Sequence, residues 1–132
     1  MGIYSCIGKS LDEVADSLYK GKSGIGIDPV RKEFGYRSAL TGELETPDLK
    51  GKLDRRKRIC LSEQGQYAYL ATADALQQAG MDEEFLATHE VGILYGNDSS
   101  TEPVINAVDI IREKRNTALV GSGSIFQSMN ST

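Results

Sequence analysis

Tryptophan is absent from this chain of 132 residues, and histidine occurs once, proline three times and cysteine twice. Cys6 and Cys60 lie far apart without a CxxC spacing, and His89 has no partner at the spacing of zinc ligands, so no metal site is indicated. No apolar run approaches the roughly 18 residues of a membrane span. The N-terminus lacks the basic and apolar regions of a secretory signal. We therefore expect a cytoplasmic protein with reduced thiols, no metal, no cofactor and no membrane partner.

The composition is that of an ordinary soluble protein, with 39% hydrophobic and 26% charged residues. A length of 132 residues is enough for one domain with its own core. The net charge of -4 argues against binding to nucleic acid, whose phosphates require a basic surface.

Helix signals are strong in three places. Ser10 and Glu13 form a capping box that predicts a helix over residues 11–20, ended by Gly21 in a left-handed conformation. A second helix is predicted to begin near Asp54, to break or bend before Glu63 and to stop at Gly80. It carries a narrow face of small residues that we expect to be buried: Ala68, Ala71, Ala75, Leu76 and Ala79. A third helix is predicted from Pro103, which suits a first helical turn.

Strand signals are weaker. Residues 24–52 are punctuated by glycine and proline, with short strand pieces predicted only at 36–40. A short acidic turn is predicted at 81–84. Residues 90–96 form an apolar run closed by glycine, which predicts a buried strand. Small polar residues follow it, and open α/β sheets bind ligands at the carboxyl ends of their strands. The chain closes on a Gly/Ser loop at 121–124 and an apolar-spaced segment.

The order and spacing of these segments resemble the N-terminal part of β-ketoacyl-acyl carrier protein synthases of type I and II. The resemblance is most specific over residues 2–8, 20–24, 54–80 and 91–96. It implies an α/β chain, the N-terminal part of a thiolase-like fold with αβαβα layers, truncated at both ends. Residues 1–132 would then form a partial N-terminal synthase domain, without its first strand and without the region of the catalytic cysteine.

The resemblance also implies which chemistry the chain lacks. Condensing enzymes need a cysteine thiolate of low pKa and two histidines. Neither Cys6 nor Cys60 follows a strand in the sequence context of the family's nucleophilic cysteine, and His89 lies in an acidic turn. We therefore assign no catalytic residue. We expect both thiols to pack as small hydrophobic groups.

An acyl pocket is implied at two places. On a gapless match from Val91, Ser99 falls where the family has its size-gating pocket residue, and Ser100 follows it. The alternative is an ordinary strand-to-helix turn. Phe126 and Met129, three residues apart, correspond to a helix that lies at the family's dimer interface and lends apolar side chains to the partner's acyl pocket. The alternative there is a plain core face.

A basic run stands out in this acidic chain, and a second basic cluster follows the third helix. The run contains Lys50, Lys52, Arg55, Arg56, Lys57 and Arg58, and the cluster contains Arg112, Lys114 and Arg115. The resemblance implies that Arg55, Arg56 and Arg115 dock an acidic acyl carrier protein, loaded with acyl or malonyl groups. Ile59 stands where a further basic residue is expected. The alternative is a solvated helix start and loop.

Two functions remain open on the sequence. The first is a piece of a 3-oxoacyl-[acyl carrier protein] synthase, an acyltransferase of fatty acid or related chain elongation that forms homodimers. The isolated chain would be inactive. The second is a non-catalytic partner of the same fold, of the chain-length-factor type, that binds a carrier protein or shapes an acyl pocket.

Overall fold

The computed structural model describes residues 1–97 and 101–129. The helices are α1 (Leu11–Tyr19), α2 (Pro29–Glu33), α3 (Arg55–Cys60), α4 (Glu63–Gln78), α5 (Glu83–Thr88), α6 (Glu102–Lys114) and α7 (Ser122–Ser128), and Thr117–Leu119 form a 3-10 turn. The strands β1 (Ile25–Ile27) and β2 (Leu40–Gly42) pair antiparallel. The chain divides into two compact units, the first made of Met1–Thr46 and Leu70–Glu90 and the second of Pro47–Tyr69 and Val91–Thr132.

Helix α1 of the first unit has the capping arrangement that the sequence predicts. The Ser10 Oγ accepts a hydrogen bond from the Glu13 N–H at 3.2 Å, and a Glu13 carboxylate oxygen accepts from the Lys9 N–H at 2.6 Å. Gly21 follows the helix with a φ of 63°. The predicted helix is therefore confirmed, one residue shorter than expected, because its orphan amides and carbonyls find partners within the chain's own turns.

In the first unit, the small residues of α4 allow the N-terminal segment to approach the backbone of this helix closely. A Cβ built on Gly2 would lie 1.7 Å from the Ala71 carbonyl oxygen and 2.8 Å from the Ala75 nitrogen. The N-terminal segment therefore crosses α4 where both partners are small. Four residues of this face are half-buried and Ala79 is exposed, so the expectation that the face is buried is wrong. The predicted stop of α4 near Gly80 is confirmed, with a φ of 69° at that glycine.

The two strands of the sheet lie on either side of the predicted strand piece at 36–40, and β1 was not predicted. Ile27 pairs with Leu40, and β2 continues to Gly42, so the prediction of strand at 36–40 is wrong except at its last residue. Asp28 caps α2, accepting hydrogen bonds from the backbone of Val30 and Arg31. That helix and the turn after it occupy the intervening residues, and pairing resumes only where the chain returns beside β1.

In the second unit, α3 and α4 meet at the predicted break. The Asp54 carboxylate accepts a hydrogen bond from the Lys57 N–H at 3.0 Å and begins α3. Leu61 is extended, and the Ser62 Oγ accepts from the Gly65 N–H at 3.2 Å, which begins α4. Two caps within nine residues make two helices instead of one.

The strand predicted at 90–96 is not present. Residues 90–97 form neither helix nor strand, and Ile93 and Leu94 are 75% and 103% exposed. An apolar run becomes a strand only where a neighbouring strand satisfies its backbone groups, and in the described part of the chain β1 and β2 pair only with each other. The acidic turn predicted at 81–84 is likewise wrong, because Asp82 caps α5 there.

Helix α7 of the second unit packs against both α3 and α6. Gly123 allows its close approach to α3, and the Gln127 Nε2 donates a hydrogen bond to the Ile59 carbonyl at 2.8 Å. Helix α6 has Pro103 in its first turn, as predicted. Leu49 is the one large apolar side chain in the described ranges that is nearly fully buried, at 3% exposure. Both units therefore carry extensive exposed apolar surface.

Candidate functional site

Four of the six cations of the predicted basic run lie on the short helix α3, and Lys50 and Lys52 precede it. Asp54 precedes it, so Arg55 and Arg56 occupy the first helical turn. The hydrogen bond from the Lys57 N–H is the main reason that the pKa of the Asp54 carboxyl lies below its ordinary value, and the charges of Lys57 and Arg58 act in the same direction. The cap is therefore an anion at neutral pH, which suits the positive end of a helix.

The four cations of α3 fall into two pairs with different surroundings. Lys57 lies 3.9 Å from the Asp54 carboxylate, and the Arg58 Nε donates to the Leu53 carbonyl at 3.1 Å. Arg55 and Arg56 are exposed and form no ion pair with any residue in the described part of the chain. Two of the four charges thus serve local structure, and two are available to a partner.

Arg115 belongs to the same compact unit, at the end of α6. It adopts a left-handed backbone conformation, with φ 50° and ψ 31°, and its N–H donates to the Ile111 carbonyl at 2.9 Å. It is exposed and without an ion pair among the described residues, whereas Arg112 lies 3.8 Å from the Asp109 carboxylate. We call Arg55, Arg56 and Arg115 the basic surface.

An open groove of about 380 Å³ lies beside Arg55 on α3. Arg55 and Arg58 line it, and the other lining residues are Pro47, Asp48, Leu49, Ile59 and Gln66. Sequence reasoning missed this groove, because it forms where the irregular segment 47–49 folds back onto α3. The one local signal was Pro47, a loop residue that closely precedes the basic run.

The residues predicted for an acyl pocket are only partly described. Ser99 and Ser100 lie outside the described residues. Phe126 lies on α7 and Met129 at its C-terminal cap, where the Met129 N–H donates to the Phe126 carbonyl at 3.0 Å. Their exposed fractions are 45% and 46%, so within this chain they do not form a core face.

The two thiols and the histidine lie in separate surroundings. Cys6 is exposed and Cys60 is half-buried at the end of α3, and neither forms a disulfide. The His89 ring stacks on Phe85 with 4.1 Å between ring centroids, and its Nδ1 lies 3.1 Å from the Phe85 carbonyl oxygen.

Among the described residues, no group of three or more histidine, cysteine or acidic side chains could hold a metal ion. Within the same ranges, none of the helices has the length and apolar character to span a bilayer.

Comparison with known proteins identifies the chain's relatives. The family profile described as "Beta-ketoacyl synthase, N-terminal domain" matches residues 1–132. The chain belongs to the β-ketoacyl synthase family. It is 30% identical over 132 residues to 3-oxoacyl-[acyl-carrier-protein] synthase 1 of Haemophilus influenzae, a match that covers 99% of this chain and 32% of that protein. The synthase 1 of Escherichia coli is 30% identical over 133 residues, with the same coverage of both chains.

The synthase fold is also found in a solved structure. The crystal structure of a β-ketoacyl synthase from Burkholderia phymatum superimposes with a TM-score of 0.81 and 26% sequence identity, covering 98% of this chain and 32% of that one. The predicted fold class, an N-terminal part of an α/β thiolase-like fold, is thereby confirmed. This β-ketoacyl synthase chain spans 32% of the length of each of these three relatives.

Proposed function

We propose that this chain is part of a 3-oxoacyl-[acyl carrier protein] synthase, an acyltransferase that condenses acyl groups with malonyl-loaded carrier protein in fatty acid synthesis. The relatives support the enzyme over the non-catalytic partner, since 99% of the chain aligns with proteins that are named as synthases. We also propose a cytoplasmic location, as expected from the sequence.

Residues 1–132 contribute binding surfaces to this reaction rather than the reacting groups. Condensation requires a nucleophilic thiolate and donors for the oxyanion of the thioester. Cys6 is on an exposed turn, Cys60 packs at the end of α3, and the His89 ring is held against its own helix by Phe85. We accordingly assign no catalytic role to these three residues.

The basic surface is the observation that carries the proposal of carrier-protein docking. Arg55, Arg56 and Arg115 are exposed cations without ion pairs in the described ranges, within a chain whose net charge is -4. An acidic partner would be drawn to such a patch, and exposed charges of this kind act mainly on the rate of association.

The docking test replaces one arginine of the basic surface. Arg56→Glu should weaken binding of a fluorescently labelled acyl carrier protein about fivefold in 0.05 M salt, because reversing one exposed charge alters the binding free energy by about 1 kcal/mol. The difference should fade near 1 M salt, where the Debye length is about 3 Å. Arg115→Glu should behave in the same way, and fluorescence anisotropy measures both.

The matched control is Lys32→Glu, which reverses an exposed charge on α2 in the other unit. This variant should bind the carrier protein as the parent chain does. Equal affinities for the parent, Arg56→Glu and Arg115→Glu at low salt would mean that these arginines do not dock the carrier protein and that the basic run is only the solvent-exposed start of α3.

Acyl binding and homodimer formation are the second part of the proposal. Phe126 and Met129 leave roughly half of their surface exposed, and Ser99 and Ser100 keep their proposed place at the acyl pocket by resemblance alone. Phe126→Ser should reduce self-association in sedimentation velocity, whereas Leu18→Ser, at a residue 69% exposed on α1, should not. Identical sedimentation of the parent and Phe126→Ser would show that α7 is not part of the self-association interface.

A further inference from the structure

Residues 24–46 of the first unit form an arm that contains β1, α2 and β2. All of these residues are half-buried or exposed. The side chains of Ile25, Ile27 and Leu40 share one face of the hairpin, and their exposed fractions are 61%, 62% and 58%. A two-stranded hairpin is at best marginally stable by itself in water. The order of this arm therefore depends on the contacts at its base.

The base of the arm lies against the N-terminal turn at a glycine. A Cβ built on Gly24 would lie 2.2 Å from the Cys6 carbonyl oxygen and 2.5 Å from the Cys6 carbonyl carbon. On the other strand, a Cβ built on Gly42 would lie 3.4 Å from the Cys6 Sγ. The Glu43 N–H donates a hydrogen bond to the Gly24 carbonyl at 2.8 Å, which closes the hairpin at the same point. Both ends of the hairpin thus contact one turn of the chain.

Two side chains of the N-terminal turn hold the residue that follows the hairpin. The Tyr4 hydroxyl donates to the Glu45 carbonyl at 2.9 Å, and the Lys9 Nζ lies 2.5 Å from the Glu45 carboxylate. The same Nζ lies 5.5 Å from the centroid of the Tyr4 ring, a distance typical of cation–π contacts. The hydrogen bond from Lys9 is the main reason that the pKa of the Glu45 carboxyl lies below its ordinary value. We call Tyr4, Lys9 and Glu45 the clamp.

The clamp differs from an isolated surface ion pair. A single exposed pair contributes little to stability, and 84% of the Glu45 side chain is exposed. Here the hydrogen bond, the ion pair and the ring contact share their partners and join segments 36 and 41 residues apart in the sequence. Because the hairpin itself is marginal, even modest contacts at its base decide how often it unfolds.

We infer that the arm is an order–disorder strap, which the clamp and the Gly24 contact keep folded and which unfolds when the clamp is lost. Release unfolds residues 24–46, while α1 stays helical because its capping box lies within residues 9–13. Order–disorder transitions of a segment are a recurrent form of switch in proteins. The ion pair of the clamp is exposed, so high salt shifts the balance towards the released strap.

Amide hydrogen exchange measured by NMR on the 132-residue chain tests the strap. The reporters are the Asp28 N–H, which donates to the Ala39 carbonyl at 2.8 Å, and the Glu43 N–H, with the Val14 N–H of α1 as the reference. Lys9→Met should accelerate exchange at both reporters about threefold in 0.05 M salt, as expected for losing one exposed ion pair. Exchange at Val14 should not change, and the difference at the reporters should shrink in 1 M salt.

The matched control is Lys20→Met. It removes an exposed lysine whose ion pair, with Asp16, joins residues only four apart at the end of α1. This variant should leave exchange at Asp28 and Glu43 as it is in the parent chain, because it does not touch the base of the arm.

A second variant releases the base without changing any charge. Gly24→Ala places a methyl group against the Cys6 backbone, so exchange at Asp28 and Glu43 should rise about tenfold or more at both salt concentrations. The inference is overturned if Lys9→Met leaves both reporters unchanged in 0.05 M salt, since the clamp then does not hold the arm. It is also overturned if either variant accelerates Val14 as much as Asp28, since the first unit then opens as a whole.

Discussion

Gly123→Ala is the substitution that the packing of α7 most clearly forbids. A Cβ at this position would lie 2.3 Å from the Ile59 Cγ2 and 3.2 Å from the Ile59 carbonyl oxygen. Ile59 is β-branched and has little rotamer freedom, so the clash is relieved only if α7 moves away from α3. That movement also stretches the hydrogen bond from the Gln127 Nε2 to the Ile59 carbonyl, now 2.8 Å long.

The expected change in the free energy of unfolding combines two destabilising effects with one stabilising effect. Inserting a methyl group into a close contact costs about 1–3 kcal/mol. Weakening the Gln127 hydrogen bond costs about a further 1 kcal/mol. Alanine favours the helix over glycine by about 1 kcal/mol. The net expectation is a loss of about 1–3 kcal/mol in the free energy of unfolding. In an Ile59→Ala background the Cγ2 is gone, so the same substitution should cost nearly nothing.

Urea denaturation followed by circular dichroism measures these differences through the transition midpoint. The control is Gly92→Ala, where an added Cβ meets nothing within 4 Å, and its midpoint should not fall. A Gly123→Ala variant as stable as the parent would refute the close contact between α7 and α3. A cost that stays the same in the Ile59→Ala background would show that the Ile59 side chain is not its cause.

Three further predictions concern the basic surface and the chemistry. Arg115→Gly should raise stability by about 1 kcal/mol, since a non-glycine residue at φ 50° is strained, yet should weaken carrier-protein binding at low salt; a lower urea midpoint would contradict this. The pKa of Asp54 is depressed in the folded chain, so its capping contribution is present above the unfolded pKa, about 3.9, and is lost as the pH falls through the lower folded value. Far-ultraviolet circular dichroism between pH 5 and pH 2 should therefore show a smaller loss of helix in Asp54→Asn than in the parent, and equal losses would contradict it. The 132-residue chain should form no ketoacyl product from acyl- and malonyl-loaded carrier proteins, and mass spectrometry that finds acylated Cys6 or Cys60 would overturn this expectation.

The division of the basic run into free and structural charges required the side-chain geometry, although the partners lie within five residues. Arg55 and Arg58 are both arginines of one short helix, and the sequence treats them alike. The position of the Leu53 carbonyl gives Arg58 a partner, and none of the described residues gives Arg55 one. The groove was equally hidden, because it depends on how residues 47–49 approach α3.

Helix boundaries, by contrast, were determined by the sequence itself. Ser10, Asp54 and Gly80 each act on backbone groups within a few residues, so the caps, the break before Glu63 and the helix stop could be predicted without knowing the fold. The strand expected at 90–96 depended on partners distant in the chain, and the described residues supply none. Local hydrogen bonds join residues that are close in sequence, so the sequence determines them. Strand pairing and grooves depend on which distant segments meet, and only the tertiary structure decides that.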